Sequence, residues 1–197
     1  ANAIAAALRF DELKEGHSHV ASPSRLFIYY NERVLAGVVS TNSPVSLRDG
    51  YRTVSKVGAC PETMWPYQVR RFRRAPTQSC FHAAHRHRAI AYYRIRRSIT
   101  QLRACLAEGF PFVMALAVHK SMRTPAVLHT GMVPVPGTHD RLLGGHAVLE
   151  VGYENESKMV ILRKEGGREG GEKGEGEVRY AVFASADLHC TDARGAE

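Results

Sequence analysis

The stretch GGHAVLEVGY, residues 144–153, decides how this chain reads. Two glycines precede a histidine, and the histidine opens an apolar run that ends in Gly-Tyr. Glycine pairs tolerate close backbone approach and unusual dihedrals. A histidine at the mouth of a strand, beside a cleft, can serve as a general base near neutral pH. A lone histidine is more often structural, so the surrounding sequence has to carry the argument.

Working outward, the texture on either side differs. Upstream, residues 1–15 are Ala-rich and read as a helix that stops at Gly16. A second helix is expected from Ser22-Pro23, a capping residue followed by proline at the first helical position, and to end at Gly37. A third starts at Ser46, with Asp49 three residues on as in a capping box, and ends at Gly58, a left-handed terminator. Residues 79–88 form a shorter fourth helix. A fifth runs from Ser98, with Gln101 at the capping-box position, to Gly109.

Downstream, residues 112–119 are apolar and suit a buried strand. Residues 130–136 hold Gly131, Pro134 and Pro136 and suit an irregular edge. Residues 146–153, 159–163 and 178–183 read as three more strands, with Asn155 and Glu156 in a turn. A helical half before a β-rich half is an α+β arrangement with two lobes, and a cleft between lobes is a common place for an active site. The tract 163–179, RKEGGREGGEKGEGEVR, has the composition of a charged, flexible loop.

The chain has 197 residues, of which 44% are hydrophobic, enough for one domain built as two lobes, 1–97 mainly helical and 98–197 mainly β. No run approaches the roughly 18 to 20 apolar residues of a membrane helix. The net charge of +8 is concentrated between Arg70 and Arg97. That run carries no nucleic-acid motif and reads as a solvated, Arg-rich surface, so neither nucleic acid nor membrane is expected as a partner. A basic nucleic-acid-binding protein is the reading that rests on this run alone. Cys60, Cys80, Cys105 and Cys190 form no CxxC pair; their even number permits disulfides without requiring them. Cys105 falls on the apolar side of its helix. Cys80, His82, His85 and His87 cluster like soft metal ligands, but a helix would put only His82 and His85 on a shared face. No metal and no cofactor is expected. Trp65-Pro66-Tyr67 packs the helical half.

GGHAVLEVGY resembles the histidine segment of the papain family of cysteine peptidases, in its bacterial and archaeal branch, where the pattern is (G)GHAVxxVGY. PSRLFIYYNERVL, residues 23–35, and VSLRDGYRTVSKVGACPETMWPY, residues 45–67, are similar to the same branch. So is the opening ANAIAAALRF, which resembles the continuation of that family's nucleophile helix. The resemblance implies a two-lobed papain-like fold, with a helical N-terminal lobe, a β-barrel-like C-terminal lobe and the active-site cleft between them. It implies a thiol peptidase acting on peptide or protein substrates, with His146 as general base and acid. It places the nucleophilic cysteine two residues before Ala1, so the chain is expected to lack it and to be inactive as given. His146 would then lie about 147 positions downstream, within the papain-type Cys-to-His spacing of about 130 to 150. Any signal peptide or pro-segment would also lie ahead of Ala1, and the compartment is not read from these residues.

A thiol at a helix N-terminus feels the positive end of the dipole, which lowers its pKa. The histidine takes its proton and the thiolate attacks the carbonyl. By the same resemblance, Val45, Ser46, Leu47 and Gly145 fall where extended peptide substrate is held. The family's third residue is an Asn in an NSWGxxWGxxGY segment that orients the histidine. Here Lys164 stands at that position, Glu165 replaces the Ser, and Gly166 and Gly170 replace the tryptophans. Lysine cannot accept a hydrogen bond from an imidazole N–H, and its ammonium disfavours an imidazolium nearby. Drift in a non-catalytic papain-like binding module and an error in the underlying reading would both give this pattern.

Overall fold

The structure is a computed structural model that describes residues 1–17, 20–156 and 159–163. The chain divides into two compact units, Ala1–Arg94 and Ile95–Glu197.

In the first unit α1 spans Asn2–Lys14 and buries Ala3, Ile4, Ala5 and Ala6. Four consecutive residues make a full turn, so this part of the helix is enclosed all round. Gly16, at φ 86°, follows the helix end. The second helix, α2 (Arg25–Leu35), is capped two residues later than the proline signal suggests. The cap is Ser24, whose Oγ accepts from the Phe27 N–H at 3.1 Å and donates to the Trp65 carbonyl at 2.6 Å. Ser22 and Pro23 are extended instead. The Ser22 carbonyl accepts from Glu62 N–H at 2.7 Å, and Pro23 bridges Pro61. Pairing with residues 60–62 outcompeted a proline-initiated helix.

The third helix, α3 (Leu47–Lys56), is capped by Ser46 as expected: its Oγ accepts from Asp49 N–H at 3.1 Å and donates to the Asp49 carboxylate at 2.7 Å. Gly50 is buried where a β-carbon would strike Ile4 and the Glu32 carboxylate. Gly58 ends the segment at φ 86°. The fourth helix, α4, is Gln78–Ala84, shorter than 79–88, because residues 85–87 turn away and the His87 carbonyl takes the Ala59 N–H at 3.1 Å.

These helices enclose Leu26, Phe27, Cys60, Trp65, Cys80, Ala83 and Ala84. Phe27 and Phe81 pack as a tilted pair at 5.1 Å. Trp65 is thus a core residue of the helical half, as its sequence context suggests. A second buried device is Arg33, fully enclosed. Its guanidinium donates to the carbonyls of Tyr29, Val39, Thr41 and Phe72 and lies over the Tyr29 and Phe72 rings. Four carbonyls and two π-faces satisfy a charge that would otherwise be costly to bury.

In the second unit α5 spans Ile99–Ala107 and starts after Ser98, which makes no side-chain capping bond. Cys105 is half-buried rather than core, with its Sγ 3.3 Å from the Phe110 carbonyl. A three-stranded antiparallel sheet follows, ordered β1 (Phe112–His119), β2 (Leu142–Glu154) and β3 (Met159–Arg163). β1 and β3 match their expected bounds, whereas β2 begins four residues earlier than residue 146. One face of the sheet gathers Met114, Leu116, Val148, Val160 and Leu162. Between β1 and β2 lie a short 3-10 turn, Lys120–Arg123, and α6, Pro125–Thr130. The helix α6 was missed, although Thr124-Pro125 is a capping residue followed by proline: Thr124 accepts from Val127 N–H at 3.3 Å. Gly131, at φ 73°, ends it, and the irregular segment expected over 130–136 begins there. The strand expected over 178–183 and the tract from Lys164 onward lie outside the described residues.

Candidate active site

His146 sits on β2 opposite Leu116 of β1, with its side chain exposed. Gly144, just ahead of it, has φ 152°, a conformation strongly favoured by glycine. The β1–β2 register shifts there, with Val118 opposite Gly144 and His119 opposite Leu142. The extra residue on β2 is a bulge, and bulges re-aim side chains near functional sites. Gly145 faces Ala117, and a β-carbon on it would meet nothing closer than the Leu116 carbonyl at 3.9 Å. Its need for glycine is therefore not steric crowding within this sheet.

Residues alternate across a strand, so His146 shares its face with Leu116 and Val148. Beside them opens a concavity of about 310 Å³. Its walls are Leu116, Val118, Leu143 and Leu162 from the sheet, and Val127 and Val133 from the β1–β2 excursion. Arg123 and His146 also line it. That volume lies at the small end of ligand sites, about 300–1,000 Å³.

The excursion is stapled at its base. Ser121 donates from its hydroxyl and, at 3.3 Å, from its N–H to the Asp140 carboxylate. His119 Nδ1 lies 3.1 Å from the Asp140 carbonyl, and Lys120 N–H reaches the Arg141 carbonyl at 2.9 Å. The Ser121 hydrogen bond holds the Asp140 carboxyl below its ordinary range. A Ser, a His and an Asp thus meet, but the hydroxyl bonds the carboxylate and the imidazole bonds a main-chain oxygen. The order a nucleophilic triad needs, hydroxyl to imidazole to carboxylate, is absent from this cluster. Its role is to fix the walls around His146. Sequence reasoning passed over it because its members lie 19 to 21 residues apart.

The other expected residues divide between the units. Val45, Ser46 and Leu47 are contiguous at the start of α3, with the Ser46 hydroxyl committed to Asp49. Gly145 and His146 are neighbours on β2. Lys164 lies outside the described residues. Cys60 and Cys80 are packing residues buried together, and burial, reinforced by Cys80 alongside, pushes the Cys60 thiol up to about 12; Cys190 lies outside the described residues. The cluster of Cys80, His82, His85 and His87 does not assemble, since Cys80 faces the core and His87 pairs with Glu12 at 2.9 Å. Among the described residues no three potential metal ligands converge. Of the Arg-rich run, Arg70, Arg73, Arg74, Arg86, Arg88, Arg94, Arg96 and Arg97 are exposed.

The structure superposes on xylellain, a cysteine protease from Xylella fastidiosa, with a TM-score of 0.79 at 35% identity, covering 92% of this chain and 70% of that one. The chain belongs to the papain-like cysteine proteases. An uncharacterised peptidase C1-like protein of Acanthamoeba polyphaga mimivirus is 34% identical over 196 residues, 95% of this chain. The chain spans 63% of that relative's length. No model of a known protein family matches it. The fold extends to more distant structures. One is a cysteine protease of Carica candamarcensis in complex with E-64, at TM-score 0.54 and 18% identity, covering 92% of this chain and 76% of that one. Another is procathepsin B of Trypanosoma congolense, at 0.59 and 13%, covering 92% and 60%. No described helix is long and apolar enough to cross a membrane.

Proposed function

We propose that this chain supplies the histidine base of a thiol peptidase that hydrolyses peptide bonds, and that a cysteine ahead of α1 supplies the thiolate. The observation that carries the reading is His146: an exposed imidazole at a strand bulge, beside a concavity, in a chain 35% identical to a cysteine protease. The imidazole takes the thiol proton, and the thiolate attacks the scissile carbonyl to give a tetrahedral oxyanion. The imidazolium returns the proton to the leaving amine, and a thioester remains. His146 then takes a proton from water, which attacks the thioester and frees the acid and the thiol. By the family resemblance, Val45, Ser46 and Leu47 at the start of α3, and separately Gly145 on β2, are the positions whose main-chain groups are expected to hold extended substrate. Lys164 occupies the position of the family's orienting Asn. None of the three cysteines described competes for the nucleophile's role, and turnover is expected only when a Gln-to-Cys segment stands ahead of Ala1.

The test is hydrolysis of a fluorogenic peptide by the chain joined to that segment. Turnover that disappears with His146→Ala supports the reading. No turnover until Lys164→Asn is added would favour a second reading, a papain-like binding module whose site has drifted, which the lysine itself suggests. Turnover by the unextended chain would contradict the assignment of the nucleophile.

A further inference from the structure

Among the described residues that line it, the 310 Å³ concavity is apolar with two exceptions, the side chains of His146 and Arg123, and Arg123 is the one fixed charge. It ends the 3-10 turn that follows β1, immediately before the Thr124 cap of α6, so its backbone is anchored on both sides. It is exposed and makes no ion pair among the described residues. The single acid between β1 and β2, Asp140, is engaged by Ser121 and does not neutralise it. A pocket with apolar walls, a proton-transferring imidazole and a guanidinium that has no ion-pair partner among the described residues suits an apolar ligand with an anionic end. Guanidinium is the side chain best matched to a carboxylate, through two parallel N–H donors.

We infer that this concavity takes the leaving portion of a peptide substrate, with Arg123 reading its free α-carboxylate. The inference rests on His146 being the group that protonates the leaving amine. A sphere of 310 Å³ is about 8 Å across, and a peptide spans about 3.5 Å per residue. One or two residues therefore fit between the imidazole and the guanidinium. The substrate class is peptides with an apolar C-terminal residue, trimmed one or two residues at a time. Arg123 is a specificity-determining residue and takes no part in bond cleavage.

Binding tests this on the chain itself, with no need of a nucleophile. The probes are the dipeptide Ala-Phe with a free carboxylate, the same dipeptide as its C-terminal amide, and octanoate. Each is titrated against the NMR signals of the His146 imidazole. The acid is expected to bind about five- to tenfold more tightly than the amide, as one charge-assisted contact at an exposed site gives. Arg123→Gln should bring that ratio close to one, and Arg123→Lys should restore part of it. Equal affinity for acid and amide would overturn the inference, as would no response at His146 to either. Octanoate binding as tightly as the dipeptide acid would overturn the peptide assignment. The peptidase reading is checked separately, by epoxide labelling of a nucleophile. Labelling with no carboxylate preference removes the inference alone. A carboxylate preference without labelling removes the peptidase reading and leaves the site as a binding pocket.

Discussion

Replacing Glu150 by Gln should stabilise the sheet of the second unit at alkaline pH and leave it nearly unchanged at acid pH. Glu150 lies on β2 in a row with Phe112 and Leu162, and its exposure is 1%. One carboxylate oxygen, Oε2, has no hydrogen-bond partner. Burial pushes the carboxyl from an ordinary 4.5 up to about 7. The folded state therefore keeps a proton that the unfolded chain gives up. Stability is complete below pH 4.5, declines as pH rises toward 7 and is flat above it. At about 1.36 kcal/mol per pKa unit, the loss by pH 8 is about 3 kcal/mol. Glutamine fills the same volume without titrating, so the variant escapes that loss. Amide hydrogen exchange of β1 and β2 reads opening of this sheet, and comparison at equal pH cancels the intrinsic exchange rates. At pH 8 the variant should be protected about 100-fold more than the parent; at pH 5 the two should lie within a few-fold. An equal difference at both pH values would refute the reasoning, because a packing effect does not titrate.

Other perturbations have outcomes fixed by the structure. Arg33→Met strands carbonyls of Val39, Thr41 and Phe72 in the interior and should cost about 3 to 5 kcal/mol, measured by urea unfolding followed through Trp65, the single tryptophan. Ser24→Ala removes both the α2 cap and the bond to the Trp65 carbonyl and should cost about 1 to 2 kcal/mol in the same assay. Gly58→Ala puts a β-carbon into the Ala84 carbonyl at a positive φ and should destabilise by more than about 1 kcal/mol. In a thiol titration with peptide mapping, Cys105 should react first among the described cysteines, and Cys60, enclosed and with its thiol raised to about 12, should react only on unfolding.

Much of the fold was legible because its signals are local. Ser46 followed by Asp49 marks a helix start, and glycines at 16, 37, 58 and 109 mark ends that the backbone honours with positive φ. Residues 112–119 and 159–163 are short apolar runs bounded by turns, which periodicity reads directly. The α2 cap was misplaced because the choice between Ser22 and Ser24 is made by residues 60–65, some 40 positions away. At the site, the sequence singled out His146 and Gly145 through their glycine-histidine-strand pattern. It gave no hint of the Ser121–Asp140 staple or of Arg123 in the same concavity, since only the return of β2 against β1 brings them near. Glu150 was not singled out by the sequence; it lies on the same face of β2 as His146, four residues further along, in a row with Phe112 and Leu162.

His146 as the base that activates a thiol is the central proposal. The most direct measurement is treatment with an epoxide-type thiol-peptidase inhibitor of the chain joined upstream to a Gln-to-Cys segment, with the adduct located by intact mass and peptide mapping. A single adduct is expected, on the cysteine ahead of α1, abolished by His146→Ala. An adduct that persists in His146→Ala, or no adduct on that cysteine, would contradict it.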